Sequence, residues 1–61
     1  MKYYIYKDLN EFWRWQLVAS NGEIIAESGD GYETEEKCRK VIDIIKKSDN
    51  APVEESHTRH R

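Results

Sequence analysis

Tyr4, Tyr6, Phe12 and Arg14 combine three aromatic rings with a permanent positive charge in the first quarter of the chain. Set on one face of a sheet, such residues can stack unpaired bases and meet phosphate, as RNA-recognition sheets do. The competing reading is structural. Tyr4 would pack on the Arg14 stem, and the face would be solvated or covered by a partner, because aromatic cross-strand pairs are ordinary sheet stabilisers. The structural reading is preferred.

The other reactive side chains read the same way. Cys38 is the single cysteine, and a reactive thiolate needs a cationic, partly open setting. Lys37 and Arg39 flank it but point off its helical face, so Cys38 reads as a small core residue. His57 and His60 are three apart, a spacing that can share a metal on a helix. No third ligand accompanies them. Glu33, Glu35 and Glu36 could do acid–base work, yet they open a helix, where acids serve the dipole. Gly29-Asp30-Gly31-Tyr32 is too acidic, and wrongly spaced, for a phosphate loop. Tyr32 reads as an anchor for that loop. No nucleophile, base and orienter come together. The sequence therefore predicts no catalytic residue, no cofactor and no metal, and a protein that is not an enzyme.

Sixty-one residues make one small domain, with 10 basic and 12 acidic side chains and a formal charge of −2. That balance gives no electrostatic reason to expect nucleic acid or an anionic membrane. No apolar run approaches the roughly 18–20 residues of a spanning helix. Lys2 is followed by tyrosines, Lys7 and Asp8 rather than by the apolar stretch of a secretory signal. With one cysteine there is no internal disulfide, and a reducing, cytoplasmic home is expected. A domain of this size buries only about 60% of its open-chain surface. A second copy of the chain is the natural extra source of burial.

These side chains must be positioned by a few short elements. Residues 2–7, KYYIYK, have high strand propensity. In residues 11–20, Trp13, Trp15, Leu17 and Ala19 alternate with polar residues, as in a half-buried strand. Asn21-Gly22 suits a two-residue hairpin turn, and residues 23–28 form the return strand. Asp8-Leu9-Asn10 is expected as a three-residue loop with Asn10 left-handed, pairing Tyr6 with Phe12, Ile5 with Trp13, Tyr4 with Arg14 and Tyr3 with Trp15. The second turn pairs Ala19 with Ile24, Val18 with Ile25, Leu17 with Ala26 and Trp15 with Ser28. One face then carries Tyr3, Ile5, Trp13, Trp15, Leu17, Ala19, Ile24 and Ala26. Thr34 is the expected N-cap of a helix whose Cys38, Val41, Ile42 and Ile45 fall on one stripe. Ala51 to Glu55 reads as one more short strand, with Pro52 at its start or on an edge. Residues 1–56 form the expected domain, and residues 57–61 a disordered polar tail.

The string EFWRWQLVASNGEIIAESGDGY, followed by a Lys-x-x-Cys helix and NAPVEE, resembles the YegP-like family of small uncharacterised proteins. Matching positions include Trp13, Arg14, Trp15, Leu17, Asn21, Gly22, Glu23, Ile24, Ile25, Ala26, Ser28, Gly31 and Tyr32. Gln16 stands where an arginine is usual, which weakens any basic stripe on the outer face, and Asn10 where a glycine is usual. The resemblance implies an α+β fold: an antiparallel sheet of β-β-β-α-β units with one helix on one face. It also implies that two units exchange their C-terminal strands. A chain with one unit would do so as a homodimer, its interface including Ile44, Ala51, Pro52, Val53 and Glu54. The expected function is a non-enzymatic, homodimeric binding or interaction module. The alternative is single-stranded nucleic-acid binding through Tyr4, Tyr6, Phe12 and Arg14.

Overall fold

The computed structural model describes residues 1–56. Three strands, β1 (Lys2–Lys7), β2 (Trp13–Val18) and β3 (Ile24–Glu27), form an antiparallel sheet in the order β1-β2-β3, and α1 (Glu35–Lys46) follows. The centre of the core is Trp15, Cys38 and Ile42, with Tyr3, Ile5, Trp13, Leu17, Tyr32 and Ile45 packed around it. The two faces alternate as the sequence pattern requires, because successive strand side chains point to opposite sides.

The first hairpin differs from expectation by one loop residue. Asp8 pairs with Phe12 through its N–H (2.8 Å to the Phe12 carbonyl), and the Glu11 N–H donates to the Asp8 carbonyl at 3.0 Å. The loop is therefore Leu9-Asn10-Glu11, and Glu11 rather than Asn10 takes the left-handed conformation, with φ 67°. The reason is Asp8. Its carboxylate accepts the backbone N–H groups of Asn10 and Phe12, each at 2.9 Å, and so winds the loop around itself. The register becomes Tyr6 opposite Arg14, Ile5 opposite Trp15, and Tyr3 opposite Leu17. Because this is a two-residue change, every side chain keeps its face.

The second hairpin has the same design. Ala19 donates to the Glu23 carbonyl at 2.8 Å, and Gly22 to the Ala19 carbonyl at 2.9 Å. The loop is Ser20-Asn21-Gly22, three residues rather than two, and Gly22 supplies the left-handed position with φ 91°. Leu17 pairs with Ala26 as expected, but Val18 pairs with Ile24, leaving Ile25 as an extra residue between them. This corrects the placement of Ile24 and Ala26 in the core. Both are exposed, and the core draws on β1, β2, α1 and Tyr32 but not on β3.

Beyond β3, Ser28 is buried and bonded to Trp15 in two ways. Its N–H donates to the Trp15 carbonyl at 2.9 Å, and its Oγ accepts the Trp15 N–H at 3.3 Å. Pairing lapses at Gly29-Asp30-Gly31 and resumes at Tyr32, which exchanges two backbone bonds with Trp13, at 2.7 and 2.8 Å. Tyr32 is thus an anchor, packed on the core.

Thr34 caps α1 with extended backbone, and its Oγ1 accepts the Lys37 N–H at 3.1 Å. Glu35 and Glu36 occupy the first turn and Lys46 the last, matching the helix dipole. Cys38 and Ile42 are buried and Val41 and Ile45 half-buried, the expected stripe. Residues 51–56 form no strand within the single chain, where a short segment has no ladder to join.

Candidate functional site

The outer sheet face gathers most of the aromatic set, in a different pairing from that expected. Tyr6 lies opposite Arg14, while Tyr4 lies opposite Gln16, whose amide donates to the Glu27 carboxylate at 3.4 Å. Tyr4 therefore does not pair with Arg14. Its cationic neighbour is Lys2, whose Nζ stands 5.6 Å from the ring centre. Tyr4, Tyr6 and Phe12 keep 50%, 37% and 41% of their surface, so their rings are open to a ligand.

Arg14 is engaged within the chain. Its Nε donates to the Asp8 carboxylate at 2.6 Å, and both side chains are partly withdrawn from solvent. That charge-assisted bond, followed by the Phe12 N–H, holds the Asp8 carboxyl below its usual range; the same bond raises Arg14. Asp8 is not among the residues that composition and spacing single out for this site. The available signal was an aspartate opening a hairpin loop six residues before an arginine on the next strand.

Gly31 belongs to the same corner. A Cβ there would stand 2.5 Å from the Phe12 Cβ and 3.6 Å from an Arg14 terminal nitrogen. The loop backbone therefore rests directly on Phe12 and the guanidinium.

The expected interface residues lie on α1 and in the segment that follows it. Ile44, on the face of α1 away from the core, is 64% exposed, and Val53 is 99% exposed. Ala51, Pro52 and Glu54 are exposed beside Val53.

A groove that the sequence did not reveal runs between β1 and α1. It has a volume of about 750 Å³ and is open to solvent; Tyr3, Ile5, Leu17 and Ile42 line it together with Lys2 and Lys46.

Cys38 is fully buried, and burial pushes its thiol up, away from the thiolate form. Among the described residues no three His, Cys, Asp or Glu side chains gather in a metal-binding group. His57 and His60 lie outside the described residues. Among the described residues no helix is long and apolar enough to cross a membrane.

A three-stranded antiparallel sheet with one helix, bearing an open aromatic face and an open strand edge, defines a small α+β domain. Residues 8–55 match the family described as a domain of unknown function, DUF1508, and the chain belongs to that family. It is 43% identical over 56 residues to a UPF0339 protein of Neisseria meningitidis serogroup B, covering 90% of this chain and 98% of that protein. A UPF0339 protein of Treponema denticola is 43% identical over 51 residues, covering 84% and 83%. The fold is similar to the NMR solution structure of a protein from Haloferax volcanii. The TM-score is 0.82 at 34% identity, with 90% of this chain and 93% of that chain covered.

Proposed function

We propose that this DUF1508 chain is a YegP-like, single-unit protein that works in the cytoplasm as a non-enzymatic homodimeric interaction module, exchanging its C-terminal segment with a second copy. One observation carries the reading. Among the described residues the isolated chain buries only Trp15, Cys38 and Ile42 of its apolar side chains, while Tyr4, Tyr6, Phe12, Ile24, Ile25, Ile44 and Val53 remain exposed. A small domain with so thin a core gains stability by burying surface against a copy of itself. Ile44, Ala51, Pro52, Val53 and Glu54 are the residues assigned to that interface. Size exclusion coupled to light scattering tests the proposal: twice the 7.3 kDa chain mass is expected. A monomer at micromolar concentration overturns it.

The second reading is single-stranded nucleic-acid binding by the outer face. The exposure of Tyr4, Tyr6 and Phe12 favours it. The Asp8–Arg14 pair counts against it, because Arg14 is already paired with a carboxylate. Titration with mixed-sequence oligonucleotides at low salt is the test. Chemical-shift changes on Tyr4, Tyr6 and Phe12 would support this reading, and their absence would dispose of it.

A further inference from the structure

Asn21-Gly22, at the tip of the second hairpin, is a reactive pair that neither the interface nor the aromatic face uses. An asparagine side-chain amide and the next residue's backbone nitrogen can close a five-membered imide ring. The nitrogen is the nucleophile, so a side chain on the residue that carries it hinders the closure. Of the three asparagines, Asn10 precedes Glu11 and Asn50 precedes Ala51, while Asn21 precedes a glycine. The space where a Gly22 side chain would lie is open, and Asn21, Gly22 and Glu23 are exposed, so water and hydroxide reach both reacting groups.

The folded turn holds those groups out of reaction. The Gly22 N–H donates to the Ala19 carbonyl at 2.9 Å, which keeps its proton in place. The Asn21 Oδ1 accepts the Glu23 N–H at 3.0 Å, which fixes the carboxamide on Glu23. Both bonds must break before the ring can close. Their release is a local event, because β3 adds nothing to the core and its Ile24 and Ile25 are exposed. Weakly packed elements of this kind open well before the whole domain does.

We propose that Asn21 is a self-modification site gated by this turn: opening of the β2–β3 hairpin lets Gly22 attack Asn21 and convert it to aspartate and isoaspartate. Hydroxide takes the Gly22 amide proton, and the nitrogen forms a bond to the Asn21 Cγ. The Cγ–Nδ2 bond breaks. The leaving nitrogen takes a proton from water and departs as ammonia, which restores the hydroxide. One water then opens the imide. Breaking the bond from the Gly22 nitrogen to Cγ gives aspartate; breaking its bond to the Asn21 main-chain carbonyl carbon gives isoaspartate. The sum is one water in and one ammonia out, with no electron transfer.

The two products have opposite consequences. Aspartate keeps a side-chain oxygen where Asn21 accepts the Glu23 N–H. Isoaspartate routes the main chain through Cβ and Cγ, adding one carbon between residues 21 and 22. The loop that sets the Gly22 N–H on the Ala19 carbonyl then no longer closes, and the β2–β3 register depends on that closure. The pair therefore records time spent with the hairpin open.

The test incubates the full chain at mildly alkaline pH, native and in guanidinium, and follows intact mass with peptide mapping. Unfolded chains should gain one mass unit at residue 21, as a mixture of aspartate and isoaspartate. Native chains should do so on the order of tenfold or more slowly, since two hydrogen bonds protect them. Equal rates in the two states overturn the gate, and no gain at residue 21 in guanidinium overturns the site. Asn21→Gln keeps an amide but would have to close a six-membered ring, so it should lose the reaction; a gain at the parental rate overturns the imide route. Asn21→Asp retains the turn oxygen, and its amide spectrum should match the parent over β2 and β3. The purified isoaspartyl product should lose the parental amide signals of residues 19–24, and a parental spectrum from it overturns the consequence assigned to the added carbon.

Discussion

The Asp8 carboxylate holds the Arg14 guanidinium at 2.6 Å and, with its other oxygen, closes the loop that carries the chain between the two residues. One side chain thereby fixes the loop, the register of the first hairpin and the orientation of Arg14 on the outer face. Asp8→Ala would lose all of these contacts at once. Its expected signature is broadening or doubling of amide resonances over residues 8–12, with a lowered melting temperature. An unchanged loop spectrum would show that the hairpin holds its register by side-chain packing alone.

The same pair sets an acid limit. Arg14 and the Phe12 N–H depress the folded-state pKa of Asp8, so its contribution to stability is present above the unfolded carboxyl value, about 4. That contribution is lost as pH falls through the lower folded value. Thermal melts from pH 7 to pH 2 should show the contribution intact near neutrality and eroding below about pH 4. Asp8→Asn should flatten that part of the curve. If parent and variant lose stability in parallel down to pH 2, the ion pair contributes nothing.

Glu11 sits at φ 67°, where a side chain costs roughly 1–2 kcal/mol. Gly22 fills the equivalent place in the other hairpin without that cost. Glu11→Gly should therefore stabilise the chain. The gain is offset by the extra unfolded-state freedom of glycine, about 0.5–1 kcal/mol, so a net rise on the order of 0.5 kcal/mol is expected in urea denaturation. A loss of stability would mean that the Glu11 side chain makes compensating contacts.

Much of this architecture was legible from residue order. Alternation in WRWQLV, the Thr34 cap and the Cys38-Val41-Ile42-Ile45 stripe each reflect a local rule, and all three hold. The two hairpin loops lie one residue from where residue type alone puts them, because a left-handed position and an Asx contact are set by three-dimensional closure rather than by residue type. By type Asn10 is the better left-handed residue, yet the Asp8 carboxylate accepts the Asn10 N–H and the left-handed position falls on Glu11. The bulge at Ile25 was equally hidden, and with it the exposure of Ile24. Of the outer-face set, the residues were legible, but the neutralisation of Arg14 was not, since it depends on a register two residues away from the expected one.

Gly31 has no positive φ to explain it; its constraint is space. A methyl group would meet the Phe12 Cβ at 2.5 Å, an atom fixed to the backbone and unable to swing aside. Gly31→Ala should push the 29–32 loop off the hairpin and cost about 1–3 kcal/mol, the usual penalty for overpacking. Phe12→Gly would remove the atom that Gly31→Ala strikes. The double variant should therefore lose less than the sum of the two single losses, as contacting residues do. Strict additivity in a double-mutant cycle would show that the close approach is not what requires a glycine.

Trp15 is 93% withdrawn from solvent, by its 7% exposure, yet its indole N–H has no acceptor among the described residues. A buried donor left unpaired costs about 1–3 kcal/mol, while the ring itself packs edge-on against Tyr3 at 5.7 Å between centres. The two contributions oppose each other, and substitution separates them. Trp15→Ala removes ring and donor together and should cost about 3–5 kcal/mol, enough to unfold a domain whose whole stability is on the order of 3–9 kcal/mol. Trp15→Phe keeps an aromatic edge for Tyr3, removes the unpaired N–H and leaves a smaller void. Its loss should fall to roughly 1–2 kcal/mol, because relief of the orphan donor offsets part of the cavity. Chemical denaturation of the parent and both variants at one protein concentration measures the difference. A Trp15→Phe loss as large as that of Trp15→Ala would mean that the indole N–H finds an acceptor in solution.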